Sequence, residues 1–200
     1  SGKVPFLEFP PLSDITFVVH GFSTRHGGVS KGMFSTMNLC ESSSSYKDDP
    51  ANIKENFIRI SDSMGLDPSS LVLSDQVHKT RIKLVDESDR GKGFAIPRDY
   101  KEIDGLITNK PNITLVTRYA DCVPLFFVDP VNKAIGLSHS GWKGTVNRIG
   151  DITLKEMATA FGSLPKDIIA VIGPSICKDC YEVGEDVASE FMNTFPSKRQ

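Results

Sequence analysis

The sequence predicts an α/β (α+β) fold: a single domain over residues 1–200 with mixed β-sheets flanked by helices. Three observations predict it. Short runs rich in β-branched and aromatic residues recur along the chain, and between them lie stretches with apolar residues at helical spacing and recognisable caps. The middle of the chain reads as an antiparallel hairpin. Strands and helices interleaved in this way call for a mixed sheet with helices packed on it.

Residues 15–19 (ITFVV) have the composition of a buried strand. The loop that follows, HGFSTRHGGVS, holds three glycines, two histidines and one arginine. Its glycines allow positive φ and close backbone approach to a ligand, and Arg25 offers a planar fork for phosphate or carboxylate. A glycine-rich turn with a solvated arginine is the plainer reading. Residues 40–49 are polar and serine-rich, a surface loop by composition. Asp49 then caps a helix with Pro50 in its first turn, an apolar stripe of Ile53, Phe57, Ile60 and Met64, and Gly65 as its stop.

Residues 71–73 form a short strand that leads into DQVH, and residues 81–86 alternate as a half-buried strand. His78 therefore sits where one strand ends and the next begins, a place from which a side chain reaches a cleft. A lone histidine there is more often a hydrogen-bonded structural residue than a ligand. Residues 91–99 form a loop, and residues 103–108 and 113–117 are two further strands joined by the turn NKPN. The second delivers Arg118, Tyr119, Ala120, Asp121 and Cys122 at its end. Asp104, Arg118 and Asp121 suit a salt-bridge network as well as they suit catalysis.

LFFVD and KAIGL form the hairpin, turning about Val131, so that Asp129 faces Lys133, Val128 faces Ala134 and Leu125 faces Leu137. That register sets Cys122 opposite Ser140, one step from His139. Pro124 has no N–H for the ladder, so a bulge or strand end is expected there, and a one-residue slip puts Cys122 and His139 on the same side. A thiol beside an imidazole marks either a metal site or a nucleophile with its base.

After His139 the segment SGWKGT turns into one helix, with apolar Val146, Ile149, Ile152, Leu154, Met157, Ala158 and Phe161 and a cap at Gly162. Its first N–H groups, flanked by Gly141 and Gly144, make a candidate anion site beside His139. Residues 168–172 are a fully apolar strand. Cys177 and Cys180 form a CxxC that suits a structural turn, a metal knuckle or a redox pair, with no second CxxC to complete a zinc site. Residues 184–195 are a last helix, with Val187, Phe191 and Phe195 at helical spacing.

Composition bounds the function. The apolar and charged fractions, 39% and 24% of 200 residues, are those of a globular protein with a substantial core. A formal net charge of -2 gives no basic field for nucleic acid and no polybasic arm for a membrane, which leaves small molecules as the expected partners. No apolar run approaches the roughly 20 residues of a transmembrane helix, and no signal-peptide pattern opens the chain. The four cysteines, Cys40, Cys122, Cys177 and Cys180, are too few for a disulfide scaffold, so a reducing cytoplasm is the expected compartment. We expect a monomer or weak homo-oligomer. Ser1-Gly2 without an initiator Met, and an end only a few residues past the last helical pattern, lead us to expect part of the natural protein, its C-terminus above all, outside this chain.

Four segments together resemble one family: HGFSTRHGGVS, DQVH, DGLITN with TRYADCVPLFFVDP, and AIGLSHSGWKGT, followed by GPSICKDCYEVGEDV. They are similar to the YfiH/YlmD family, bacterial relatives of the laccase domain-containing protein also called multicopper polyphenol oxidoreductase or purine nucleoside phosphorylase. The resemblance spans nearly the whole chain, and QVH, ADCVP and HSGWKG in that order are highly specific. It implies a YfiH-like fold, akin to that of cytotoxic-necrotizing-factor-type cysteine enzymes, and a zinc ion held by His78, Cys122 and His139. Two imidazoles and one thiolate with a fourth position open are the catalytic rather than the structural zinc arrangement. Copper also suits a thiolate site, yet a true multicopper oxidase needs many more than the four histidines of this chain.

The resemblance further implies phosphorolysis of adenosine, inosine, guanosine and methylthioadenosine, with adenosine deamination at the same site. Arg25 and Arg118 are then candidates for phosphate, assisted by the backbone from Gly141 and Trp142 onward, Asn38 for substrate, and Asp121 or Asp104 for the proton shuttle. Where relatives often read GPCIGPCCYEV this chain reads GPSICKDCYEV, so Cys180 keeps its place and Cys177 replaces a glycine. Two rival readings remain: a cysteine hydrolase or amidase with Cys122 as nucleophile and His139 as base, and a copper-dependent polyphenol oxidase.

Overall fold

The computed structural model describes residues 4–40 and 46–196. Most of the serine-rich loop, residues 41–45, and the chain ends, residues 1–3 and 197–200, lie outside the described residues. The elements run β1 (Phe6–Leu7), α1 (Pro10–Ser13), β2 (Phe22–Ser23), α2 (Pro50–Met64), β3 (Leu71–Leu73), β4 (Ile82–Leu84) and β5 (Gly105–Thr108). They continue with β6 (Thr114–Val116), β7 (Val123–Asp129), β8 (Ala134–Ser140), α3 (Trp142–Val146), α4 (Ile149–Phe161), β9 (Ile169–Ile172) and α5 (Glu185–Thr194). The chain divides into two compact units: Ser1–Leu73 with Val85–Asp99 and Lys110–Arg118, and Ser74–Leu84 with Tyr100–Asn109 and Tyr119–Gln200. No helix among the described residues is long and apolar enough to cross a membrane.

The first unit is built on α2. The Asp49 carboxylate accepts the Ala51 N–H at 2.9 Å, Pro50 opens the helix and left-handed Gly65 closes it. Ile53 and Phe57 pack on Leu71 and Leu73 of β3, while Ile60 joins Val4 and Met37 in a neighbouring cluster. β3 runs parallel to β6, and β1 pairs antiparallel with β2. The segment 15–19, read as a buried strand, is a series of turns with Phe17 and Val19 exposed. Pro10 and Pro11 start a helical turn there, and the following N–H groups bond backwards, Ile15 to Leu12 and Val18 to Ile15, so no ladder partner is left to seek.

Asn56, fully buried on α2, holds the glycine-rich loop in place. Its Oδ1 accepts the Val29 N–H at 2.8 Å, and its Nδ2 donates to Ser30 Oγ, the Thr36 carbonyl and the Asn38 carbonyl at 2.9, 3.2 and 2.8 Å. Gly28 sits so close that a Cβ would collide with the Thr36 carbonyl and with Asn56 Oδ1.

The second unit carries a five-stranded sheet in the order β4-β5-β8-β7-β9, with β4 and β5 parallel and the other pairs antiparallel. This is the mixed sheet the sequence predicts. Ile107, Phe127, Ala134 and Met157 form its core, joined by Ile82, Leu125, Leu154, Phe161 and Ile168. β9 is a strand as expected but lies at the sheet edge, where only alternate residues are covered and Ile172 is 73% exposed. The helix read as continuous from Trp142 to Phe161 is broken into α3 and α4. Asn147 donates its side-chain amide to the Lys143 carbonyl at 2.8 Å and Arg148 takes a left-handed φ of 59°, which ends the first helix and turns Ile149 into the core.

Removing the Asn56 amide takes hydrogen bonds from four loop residues, Val29, Ser30, Thr36 and Asn38, so Asn56→Ala should lose about 2–3 kcal/mol of unfolding free energy in urea. Asp48 supplies an acid-limb test in the same unit. Burial pushes its carboxyl up, but bonds from Ser30, Asn38, Asn52 and the Asp49 N–H outweigh burial and hold it below the usual range. A depressed folded-state value stabilises at pH above the unfolded value and is lost as pH falls through the folded one. Stability of the wild type should therefore drop on acidification below about pH 4, and Asp48→Asn should flatten that drop.

Candidate metal centre

Three segments of the second unit meet at one point. His78 comes from the loop before β4, Cys122 from the residue preceding β7 and His139 from β8. Their ligand atoms all lie within 4.8 Å of one another, with His78 exposed, Cys122 half-buried and His139 buried. The cluster is therefore sealed on the sheet side and open on the His78 side.

The hairpin register builds half of it. β7 and β8 pair with Asp129 opposite Ala134 and Pro124 opposite His139, one residue from the expected register. The cause is the turn, which takes four residues, 130–133, with Lys133 in the left-handed region at φ 50°. Asp129 shapes that turn, its Oδ1 accepting the Val131 and Asn132 N–H groups at 2.9 and 3.0 Å. Residues opposite each other share a face and residues two apart share it again, so Cys122 falls on the side of His139.

Asp104 supplies the rest. Fully buried, it accepts a hydrogen bond from His139 Nδ1 at 2.9 Å, and from the N–H groups of Val77, His78 and Lys79 at 3.1, 2.9 and 2.9 Å. An ionised carboxylate only accepts, so Nδ1 carries the proton and Nε2 of His139 is left for the cluster. The three successive N–H groups wrap the carboxylate in a nest, which requires the left-handed φ of 61° at His78. One carboxylate thus orients one donor ring and holds the backbone of another donor residue. Burial raises the Asp104 carboxyl, but the His139 bond and the backbone donors outweigh it and keep it below the usual range. Both oxygens are engaged, which gives Asp104 a positioning part in the cluster.

Electrostatics suit a cation. Burial, then His139 and Lys143, push His78 down against the opposing pull of Asp104, which favours the neutral ligating imidazole. Burial, then the charges of Asp121 and Asp104, push the Cys122 thiol up. Gly141 gives the cluster room: a Cβ there would stand 2.7 Å from His78 Cδ2 and 3.1 Å from Cys122 Sγ. Tyr119 is a residue whose part the sequence left unassigned. Its hydroxyl donates to the Ser138 carbonyl at 3.1 Å and its ring lies 5.6 Å from that of His139; its place in TRYADC was the available signal.

Of the remaining residues singled out from sequence, Asp121 and Trp142 lie in the same unit as the donor cluster. Asp121 is exposed beside Cys122, with its carbonyl accepting the Ile176 N–H at 3.0 Å. Half-buried Trp142 opens α3 with Lys143 Nζ 5.4 Å from its ring centre. α3 has only five residues, too few aligned dipoles for the anion site expected at its start. Arg25, Asn38 and Arg118 belong to the first unit. Arg25 is exposed and donates to the Ser35 carbonyl at 3.4 Å, while the Asn38 amide is held by Asp48 at 3.0 Å and the Cys40 carbonyl at 3.1 Å.

Residues 19–200 match the family described as multi-copper polyphenol oxidoreductase laccase. The chain belongs to this laccase family. This laccase-family chain is 43% identical over 174 residues to purine nucleoside phosphorylase YlmD of Bacillus subtilis, a match covering 85% of the chain and 60% of that protein. It is 35% identical over 179 residues to adenosine deaminase RL5 of an unknown prokaryotic organism, covering 86% of the chain and 65% of that protein. The crystal structure of YlmD from Geobacillus stearothermophilus superposes with a TM-score of 0.83 at 33% identity, covering 96% of the chain and 69% of its own. The chain thus spans 60% to 69% of the length of these three relatives.

If Asp104 positions both histidines, Asp104→Asn should weaken zinc binding 10- to 100-fold in a chelator-competition titration, in the range typical of residues that orient ligands. Gly141→Ala should weaken it as well, by forcing His78 and Cys122 apart. Unchanged affinity in both variants would refute the arrangement described.

Proposed function

We propose that this chain carries the active centre of a zinc-dependent purine nucleoside phosphorylase, acting on adenosine, inosine, guanosine and methylthioadenosine and also deaminating adenosine. One observation carries the proposal: a His–Cys–His donor group, its buried ring fixed by Asp104, in a chain 43% identical to a protein named purine nucleoside phosphorylase. The donor set suits zinc, with two nitrogens, one sulfur and an open side. When bound, zinc supplies Lewis acidity that makes water a better nucleophile near neutral pH.

The chain's own residues divide the remaining work. Asp104 keeps His139 in one tautomer and cannot itself shuttle protons, because its oxygens already hold four donors. Asp121, exposed beside Cys122, is the carboxylate left for proton transfer in deamination. Phosphorolysis needs cationic groups for phosphate, and we assign Arg25 and Arg118 to that role by their motif positions, with Asn38, Gly141 and Trp142 toward the nucleoside. The partners are therefore a purine nucleoside and phosphate, and the protein acts as a monomer or weak homo-oligomer. We place the protein in a reducing cytoplasm because its sequence holds only four cysteines.

A second reading has an observation of its own. Cys122, His139 and Asp104 line up as a nucleophile, a base and an orienting carboxylate, the arrangement of a cysteine hydrolase. Against it, the Cys122 thiol is pushed up rather than down, and His78 stands as a third donor that a thiol–imidazole pair does not need.

Chromatography of adenosine and inosine incubated with protein and phosphate separates these readings. The nucleoside reading expects adenine, hypoxanthine or inosine to accumulate well above a His78→Ala, Cys122→Ala control, with chelation abolishing the signal and zinc restoring it. Product formation that survives complete metal removal would sink the zinc assignment and favour the cysteine nucleophile. Copper, but not zinc, restoring oxygen consumption with a phenol would favour the oxidase.

A further inference from the structure

The CxxC lies outside the His–Cys–His cluster, and the proposed chemistry leaves it unused. Both thiols are free and exposed. The Cys180 N–H donates to the Cys177 carbonyl at 3.1 Å, closing a turn between residues i and i+3. Such a turn holds its end Cα atoms less than about 7 Å apart, which overlaps the span of roughly 4.4–6.8 Å that a disulfide bridges. The turn also hangs from fixed backbone, because the Gly173 N–H bonds the Pro124 carbonyl at 2.9 Å and the Ile176 N–H bonds the Asp121 carbonyl at 3.0 Å.

The two sulfurs are not equivalent. In the electrostatics of the turn, the Cys180 thiol and then the Asp179 and Cys180 N–H groups act as donors toward Cys177. These donors lower the Cys177 thiol, while giving up its hydrogen to that bond raises Cys180. A lowered thiol is the readier to attack and a raised one the readier to resolve.

We propose that Cys177 and Cys180 form a second reactive site, a surface dithiol that hydroperoxides oxidise to a reversible intramolecular disulfide, with Cys177 attacking and Cys180 resolving. The Cys177 thiolate attacks the O–O bond, forming an S–OH group and releasing the alcohol once the leaving oxygen takes a proton. The Cys180 sulfur then displaces hydroxide from that group, which leaves as water with the Cys180 proton. Two thiols lose two electrons and two protons, and the hydroperoxide becomes an alcohol and water. A thiol reductant reverses the bridge by exchange. The site is independent of the nucleoside chemistry.

Trypsin makes the bridge visible, because cleavage after Lys178 separates the two cysteines. Zinc-loaded protein treated with stoichiometric tert-butyl hydroperoxide, alkylated and digested should yield the peptide ending at Lys178 joined to the one beginning at Asp179, and dithiothreitol should part them. Cys180→Ser should stop at a sulfenic acid on Cys177 that dimedone traps. In Cys177→Ser, Cys180 should remain an alkylatable thiol at the same peroxide dose. Recovery of both cysteines as free thiols while exposed Cys40 is oxidised, or linkage of either to Cys40, would overturn the proposal. Equal dimedone labelling of the two single variants would overturn the division of roles.

Discussion

The buried carboxylate of Asp104 is the fixed point of the second unit. An ion in that position is unfavourable unless every lone pair is used, and here the His139 ring and three consecutive N–H groups use them. The same bonds that make the charge tolerable fix two otherwise independent objects, the ring of His139 and the backbone at His78. Its main chain adds a further tie, since the Asp104 carbonyl accepts the His139 N–H at 2.7 Å and its own N–H donates to the Arg81 carbonyl at 3.0 Å. Loss of this one side chain would release a ligand loop, unpair a ring nitrogen and open a polar hole at once.

Around that point the sheet acts as a ruler. The four-residue turn after Asp129 shifts the β7–β8 pairing by one residue, and because strand side chains alternate with period two, one residue decides whether Cys122 faces His139 or faces away. Gly141 completes the geometry by what it lacks, since His78 and Cys122 occupy the volume a methyl group would take. A group of three donors is thus supported by an aspartate, a turn and a missing Cβ.

The cysteines show how environment separates chemistries that composition cannot. Cys122 is half-buried, and burial first, then the charges of Asp121 and Asp104, raise its thiol, which makes it a poor free nucleophile suited to donating as a thiolate to a cation. Cys177 is exposed and surrounded by donors that lower it, a reactive sulfur without burial. One residue type is thereby suited to ligation in one place and to redox chemistry in the other.

Much was legible in the residues themselves. Local signals determined α2, whose cap, proline, stripe and stop glycine all act within a few residues, and they determined the existence of the β7–β8 hairpin and the strand at Leu71–Leu73. Motif order placed the chain in its family and singled out His78, Cys122 and His139, which periodicity alone left as a lone histidine and an ambiguous pair. Only the tertiary structure decided the rest. The exposure of residues 15–19 and of Ile172 depends on which strands find partners, and the break at Asn147 and Arg148 on a side-chain bond competing with the helix. The role of Asp104 depends on contacts with residues 25 to 35 positions away, and the free energy of burying its charge is set by those partners rather than by its neighbours in the chain.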